Sequence, residues 1–280
     1  MEEQLWKACQ NGKVEEAIKL LQNSQININW QDSQYLRTAL YLSCENGHIE
    51  IVKLLLNNNR IDVNKGTKSE ASPFWIACSR GHLEVVKVLL NDKRVDLNKV
   101  NQFGETPFKT ACYYGQSYVV RLLLSDQRVD VSRADKSERT GFLVACHFGY
   151  VDIVRLCLND KRIDINKPDK DFQTPFWIAC QKGHLGIVEY IIASGRELSF
   201  TTRNKDGKNA IDIAREGEQK EKGSWEVEEY FQRRKKNCPK IVGILESFEK
   251  NQSETRNKLR IQLGLITSKI YFILFYFIYF

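Results

Sequence analysis

Apolar residues return along this chain in short bursts. In His82-Leu-Glu-Val-Val-Lys-Val-Leu-Leu90 they fall at 83, 85, 86, 88, 89 and 90, the rhythm of a helix with one buried stripe. Just before it, Ser72-Pro-Phe-Trp-Ile-Ala-Cys78 opens with a hydroxyl and a proline. A serine or threonine oxygen accepts from the open N–H groups of a first helical turn, and proline presets the φ of the first helical residue. Gly81 then stops this first helix, because a residue without Cβ enters the left-handed region freely. A polar stretch follows, ending in Val95-Asp-Leu-Asn98, and turn-forming residues lead to the next hydroxyl. The pattern predicts a unit of two short antiparallel helices and an extended turn.

The unit recurs. Cys44, Cys78, Cys112, Cys146 and Cys180 are each 34 residues apart, and so are Gly47, Gly81, Gly115, Gly149 and Gly183. Thr38, Ser72, Thr106, Thr140 and Thr174 keep the same step, while Cys9 and Gly12 stand 35 residues before their counterparts. Several residue types in one register mean an array of stacked repeats. A single unit cannot bury its own apolar face, so Phe74, Ile76, Ala77, Val85, Val86, Leu89 and Leu90 are expected between neighbours.

Ser72-Pro-Phe-Trp-Ile-Ala-Cys-Ser-Arg-Gly-His-Leu-Glu-Val-Val-Lys-Val-Leu-Leu90 closely resembles the ankyrin repeat, whose pattern runs T-P-L-H-x-A-A-x-x-G-H-L-E-I-V-x-L-L-L. The resemblance spans about residues 4 to 216. It implies an all-α fold, an ankyrin-repeat solenoid of stacked helix-turn-helix units joined by β-hairpin-like turns. Tetratricopeptide repeats share the period but need a W-x-x-L-G-x-x-Y pattern that is absent here. The chain departs from the family pattern in three ways, one of them the absence of the usual glycine after the second helix. One residue is added after the second helix, as in Asn91-Asp-Lys-Arg94, and Trp75, Lys109, Leu143 or Trp177 stands where the family mostly has histidine. The organisation expected is an N-terminal capping repeat at 1–37 and 34-residue repeats at 38–207. A C-terminal capping repeat with a charged insertion follows at 208–250, then a polar extension and apolar tail at 251–280. Asn209–Arg215 reads as a first helix. Trp225–Phe231 and Ile241–Phe248 both offer a partner for it, and the second is favoured.

Composition narrows the function classes. The chain has 42 basic and 35 acidic residues. Residues 203–280 hold 16 and 11 of them, leaving 26 and 24 in the repeats. A near-neutral body argues against a nucleic-acid surface. Met1-Glu-Glu-Gln4 lacks the basic and apolar regions of a signal peptide. Helices pack about 8–10 Å apart and a disulfide needs Cα atoms within about 7 Å. The cysteine ladder is therefore expected to be reduced, in a cytoplasmic protein. No Gly-rich phosphate loop and no C-x-x-C or zinc-like Cys/His spacing occurs. His48, His82 and His184 share one repeat position, which reads as structural. The reading is no catalytic residue, no cofactor and no metal.

What remains is surface. The resemblance implies a partner in the concave groove formed by the turn tips and the ends of the first helices. The two residues before each repeat glycine map there: Glu45-Asn46, Ser79-Arg80, Tyr113-Tyr114, His147-Phe148 and Gln181-Lys182. Turn tips add Phe103, Lys136, Arg139, Lys170 and Phe172. From these, Arg80, Phe103, Tyr113, Tyr114, Lys136, Arg139, His147, Phe148, Gln181 and Lys182 are the candidate partner-binding residues, since hot spots favour aromatic residues and arginine. The expected partner of this monomeric interaction module or scaffold is another protein. Arg233-Arg-Lys-Lys236 reads as a solvated helix face, with a nuclear signal or lipid-attracting patch as the alternative. Ile270–Phe280 is uninterrupted apolar sequence. Extended back to Ile261 it reaches the roughly 20 residues of a bilayer span, but Lys269 then lies inside it. A membrane-tethered ankyrin protein is the alternative reading.

Overall fold

A computed structural model describes residues 1–223 and 226–266. The chain forms two compact units, divided between Gly141 and Phe142. Among the described residues there are fifteen α-helices and, apart from an isolated antiparallel bridge between Gln31 and Thr38, no strand pairing. Ile270–Phe280 lies outside the described residues. None of the described helices is long and apolar enough to cross a membrane.

The first unit holds four helix pairs: α1 (Glu2–Gln10) with α2 (Val14–Leu21), α3 (Ala39–Asn46) with α4 (Ile49–Leu56), α5 (Pro73–Arg80) with α6 (Leu83–Asn91), and α7 (Pro107–Tyr113) with α8 (Ser117–Ser125). First helices pack on first helices and second on second, in chain order. Thr38, Ser72 and Thr106 accept from the backbone N–H three residues on, as the hydroxyl-first pattern predicts. Gly47 and Gly81 end their helices at φ 74° and 77°. The expected core residues, from Phe74 through Leu90, are all at most 5% exposed.

Polar side chains stitch neighbouring repeats. Asn64 Nδ2 donates to the Arg94 carbonyl at 2.7 Å, and its Oδ1 accepts from the Asp96 N–H at 2.8 Å. Asn29 and Asn98 make the same pair of bonds one repeat away on either side. Trp6 and Trp75 donate their indole N–H to the carbonyls of Arg37 and Glu105, the residues just before the next helix caps. Tryptophan, at a position where the family mostly has histidine, thus bonds the turn of the next repeat. The lengthened link has a role too. Arg94 Nη2 reaches back 2.7 Å to the Leu56 carbonyl at the end of α4, and Arg128 does so to Leu90 in α6 at 2.8 Å. A cation on the open carbonyls of a helix C-terminus stabilises it.

The second unit holds α9 (Gly141–Phe148, whose first residue falls in the first unit), α10 (Val151–Leu158), α11 (Pro175–Gln181), α12 (Leu185–Ala193), α13 (Ala210–Gln219), α14 (Glu228–Lys250) and α15 (Gln252–Gln262). Thr174 caps α11, and Trp177 Nε1 donates to the Lys208 carbonyl at 2.9 Å. Asn209 and Asp212 form a capping box at the start of α13. The helix packed on α13 is α14. It contains Ile241–Phe248, and it also reaches back to Glu228, taking in most of the segment read as a charged insertion; Trp225 lies outside the described residues. Its buried residues are Arg234, Cys238, Ile241, Leu245 and Phe248, one stripe at alternating steps of four and three. The polar extension is also helical, and α15 packs on α12 and α14 with Thr255 and Leu259 buried.

Candidate functional site

The tips of the first unit are tied together by main-chain bonds. Lys68 N–H donates to the Tyr35 carbonyl at 2.9 Å, Gln102 to Ser69 at 2.9 Å and Lys136 to Phe103 at 3.1 Å. Side chains on these tips are therefore presented from fixed backbone. Leu36, Glu70 and Glu138 hold φ of 54°, 63° and 61°, a left-handed conformation costing a residue with a Cβ about 1–2 kcal/mol. Gly104 fills the corresponding place beside Phe103 at φ 79°. Phe103 projects with 57% of its surface exposed.

The ends of the first helices lie alongside. Arg80 pairs with Glu45, its neighbour one repeat back, at 2.8 Å. This bond, first of all, holds the guanidinium charged, and the phenols of Tyr41 and Tyr114 are within electrostatic reach. Tyr113 and Tyr114 meet edge to face at 5.0 Å, and both are exposed. The Lys109 ammonium lies 5.9 Å from the Tyr113 ring centre. Lys109 itself is fully buried and bonds Glu105 at 2.7 Å and Asp135 at 2.9 Å. Asp135 also pairs with Arg139 at 3.0 Å. Burial alone would raise the Asp135 pKa, but the Lys109 ammonium and the Arg139 and Ser137 amides outweigh it and hold the carboxyl below its ordinary range. The structure thus connects Tyr114, Tyr113 and Arg139 through side-chain contacts by way of Lys109 and Asp135, and Lys136 with Phe103 through the main chain; Arg80 pairs separately with Glu45.

In the second unit His147 and Phe148 meet edge to face at 4.9 Å, and Phe148 stacks on Tyr150 at 5.9 Å. His147 and Phe148 are exposed. Phe172, at a tip with φ 59°, is 56% exposed. Gln181 and Lys182 are placed differently, since both are only half-exposed. The Lys182 carbonyl accepts from Arg233 Nε of α14 at 3.3 Å, and the next carbonyl, Gly183, accepts from Asn237 at 2.9 Å. Burial, and then the nearby Arg233 charge, lower the Lys182 pKa. The basic run is not an open patch either: Arg234 is buried and paired with Glu226 at 2.9 Å.

Two exposed groups escaped the sequence reading. Tyr118 is 74% exposed in the slot that holds Glu50 and Glu84 in other repeats, and that substitution was visible in the register. Tyr35, half exposed beside Leu36, carried no such signal. All eight cysteines are buried and unbridged, and burial pushes the Cys9 thiol up to about 12. Among the described residues no three His, Cys, Asp or Glu side chains gather as a metal site.

Comparison with known proteins agrees with this architecture. Residues 3–67 and 61–135 match the family described as ankyrin repeats (3 copies), and 142–192 match ankyrin repeats (many copies). An ankyrin repeat domain from Acinetobacter baumannii AYE is 26% identical, covering 68% of this chain and 97% of its own, with a TM-score of 0.61. Two further domains are similar in fold alone. The human ASB11 ankyrin repeat domain is 23% identical over 82% of this chain and 96% of its own, at 0.63. The ankyrin repeat domain of Bcl-3, a member of the IkappaB family, is 19% identical over 75% and 92%, at 0.66. No curated protein matches the chain. With repeats matched across most of its length and ankyrin domains as its structural neighbours, the chain belongs to the ankyrin-repeat family.

Proposed function

We propose that this chain is a non-catalytic, cytoplasmic interaction module or scaffold, monomeric on its own. Ankyrin repeats are generally protein-interaction modules. Here the partner binds the side formed by the tips and first-helix ends, the concave groove of the ankyrin fold. One observation carries the reading. The core between the repeats of the first unit is buried, yet Phe103, Tyr113 and Tyr114 remain exposed. Exposed aromatic residues flanked by cations are the material of binding hot spots. In the second unit His147 and Phe148 offer a smaller patch of the same kind, and Gln181 and Lys182 contribute less because α14 covers them.

The test is selection from a phage-displayed peptide library on the full chain, followed by binding of the selected ligands to variants. Phe103→Ala/Tyr113→Ala/Tyr114→Ala is expected to weaken them by about 30-fold or more, since a hot-spot truncation costs roughly 2 kcal/mol. Circular dichroism checks that the variant is folded. Unchanged binding in this variant and in His147→Ala/Phe148→Ala would sink the site.

A further inference from the structure

A cleft of about 430 Å³ lies between tips of the first unit, lined by Tyr35, Arg37, Tyr41, Glu45, Thr67, Lys68, Ser69 and Gln102. Its size is at the lower end of binding pockets, roughly 300–1,000 Å³. None of its residues is among the aromatic and basic groups assigned to the partner face above. The main-chain bonds from Lys68 to Tyr35 and from Gln102 to Ser69 fix the spacing of its walls. Tyr41, 8% exposed, belongs to its apolar side, and the half-exposed Tyr35 ring faces it.

Its two cations differ: Lys68 is unpaired among the described residues, while Arg37 is ion-paired through Nε and keeps its fork open. The Arg37 guanidinium lies 4.8 Å from the Tyr35 ring centre and 5.4 Å from that of Trp6. Asp32 takes its Nε at 3.2 Å, and the two Nη nitrogens have no protein partner among the described residues. A guanidinium fork held by stacking is prepared for two parallel bonds to a carboxylate. Lys68 Nζ has no carboxylate or carbonyl partner among the described residues. Thr67 Oγ1 and Ser69 Oγ bond each other at 3.1 Å. One of their two hydroxyl hydrogens serves that bond, and the other is left to donate. The opposing anion is Glu45, already paired with Arg80 at 2.8 Å. With their ion-pair partners included, Arg37, Lys68 and Arg80 face Asp32 and Glu45, which leaves one net positive charge at the cleft. That matches a carboxylate better than a phosphate dianion. By contrast, in a cleft of about 290 Å³ bordered by α6 and α8, Lys87 pairs with Glu84 and Asp126 with Arg128.

We propose that this cleft is a carboxylate-binding site that takes a glutamate or aspartate side chain from an extended segment of the partner protein, with an adjoining apolar residue against Tyr35 and Tyr41. The proposal rests on the interaction-module reading and adds the chemistry that the partner must carry.

Three degenerate nonapeptide pools test it on the immobilised full chain. They are identical except at the centre, which is Glu, Gln or phosphoserine, with apolar residues on both sides. The wild-type chain is expected to retain the Glu pool at least tenfold over the Gln pool. Lys68→Glu, at an exposed side chain, should erase that preference, and Lys68→Arg should keep it. Tyr113→Ala/Tyr114→Ala should lower total retention and leave the Glu over Gln ratio unchanged. Thermal melts by circular dichroism confirm folding of each variant. Equal retention of Glu and Gln pools, or a preference that survives Lys68→Glu, overturns the cleft. If Tyr113→Ala/Tyr114→Ala still loses peptides in that case, the module reading stands alone. Stronger retention of the phosphoserine pool overturns the carboxylate assignment, and no retention of any pool by the wild type overturns both readings.

Discussion

At the start of each second helix one side chain reaches back to the preceding repeat. His48, His82 and His184 meet the carbonyls of Gln10, Glu45 and His147, and Gln116 meets that of Ser79. In every case that carbonyl lies two residues before the preceding repeat glycine. A Cβ on Gly12, Gly47, Gly81 or Gly149 would fall within 3.0 Å of this reaching side chain. The glycine therefore both turns left-handed and makes room, and the two positions work as a pair across the seam. The pairing has a pH signature in His184. Burial, then the Arg233 charge, lower its pKa from 6.5 to about 4. Above pH 6.5 both folded and unfolded chains hold a neutral imidazole. Between 6.5 and about 4 only the unfolded chain takes up a proton, so stability falls as pH falls, by about 3 kcal/mol in all. His184→Gln copies the residue already present at Gln116 and removes the titration. Urea unfolding of the second unit should be less pH-dependent between pH 7 and 4.5 in this variant, and an unchanged slope would show that His184 is not the source.

At the scale of elements, reading by register succeeds where residues recur and fails where they do not. Helix caps, glycine stops and the buried stripes of α3 to α8 follow from five copies of one spacing. The roles of Trp6, Trp75 and Arg94 were hidden because each bonds a carbonyl some 30 to 38 residues away, which no local pattern names. The length of α14 was hidden for a different reason. A buried stripe that begins with Arg234 reads as polar, and its burial depends on Glu226 and on the Gly217 carbonyl to which it donates. That close approach gives a test. In a helix, glycine is normally less stable than alanine by roughly 0.5–1 kcal/mol. A Cβ on Gly217 would stand 2.9 Å from Cys238 Sγ and 3.5 Å from two carbons of the Arg234 side chain. Gly217→Ala is therefore expected to destabilise the second unit by about 1–3 kcal/mol, read as an earlier urea midpoint with the same slope. A later midpoint would mean that α14 does not pack this closely on α13.

Over the whole molecule, polar groups divide between seams and surface. Asn64, Trp75, His82 and Arg94 are bonded between repeats, while Phe103, Tyr113 and Tyr114 stand exposed in the first unit. The exposure of Tyr113, Tyr114, His147 and Phe148 was legible, since their place before the repeat glycine puts them at the open end of a first helix. The partial cover over Lys182 was not, because the covering residue, Arg233, lies 51 positions downstream. Nor was the Tyr35–Lys68 cleft, whose walls come from different repeats. The last described helix, α15, follows the same logic of seams. A terminal repeat leaves its outer face without a neighbour, and here α15 covers part of α12. Arg260 Nε donates to the Ala193 carbonyl at 2.7 Å, Gln262 bonds Glu189 at 3.1 Å, and Leu259 is 4% exposed. Leu259→Ala/Arg260→Ala in the full chain removes one buried side chain, worth about 2–5 kcal/mol, and one charge-assisted bond to a helix end. If α15 acts as a local cover, amide exchange should speed up first in the last turn of α12, around Ile191–Ala193, before α9 to α11 respond. Acceleration spread evenly from α9 to α14 would instead make α15 an integral part of the cooperative core of the second unit.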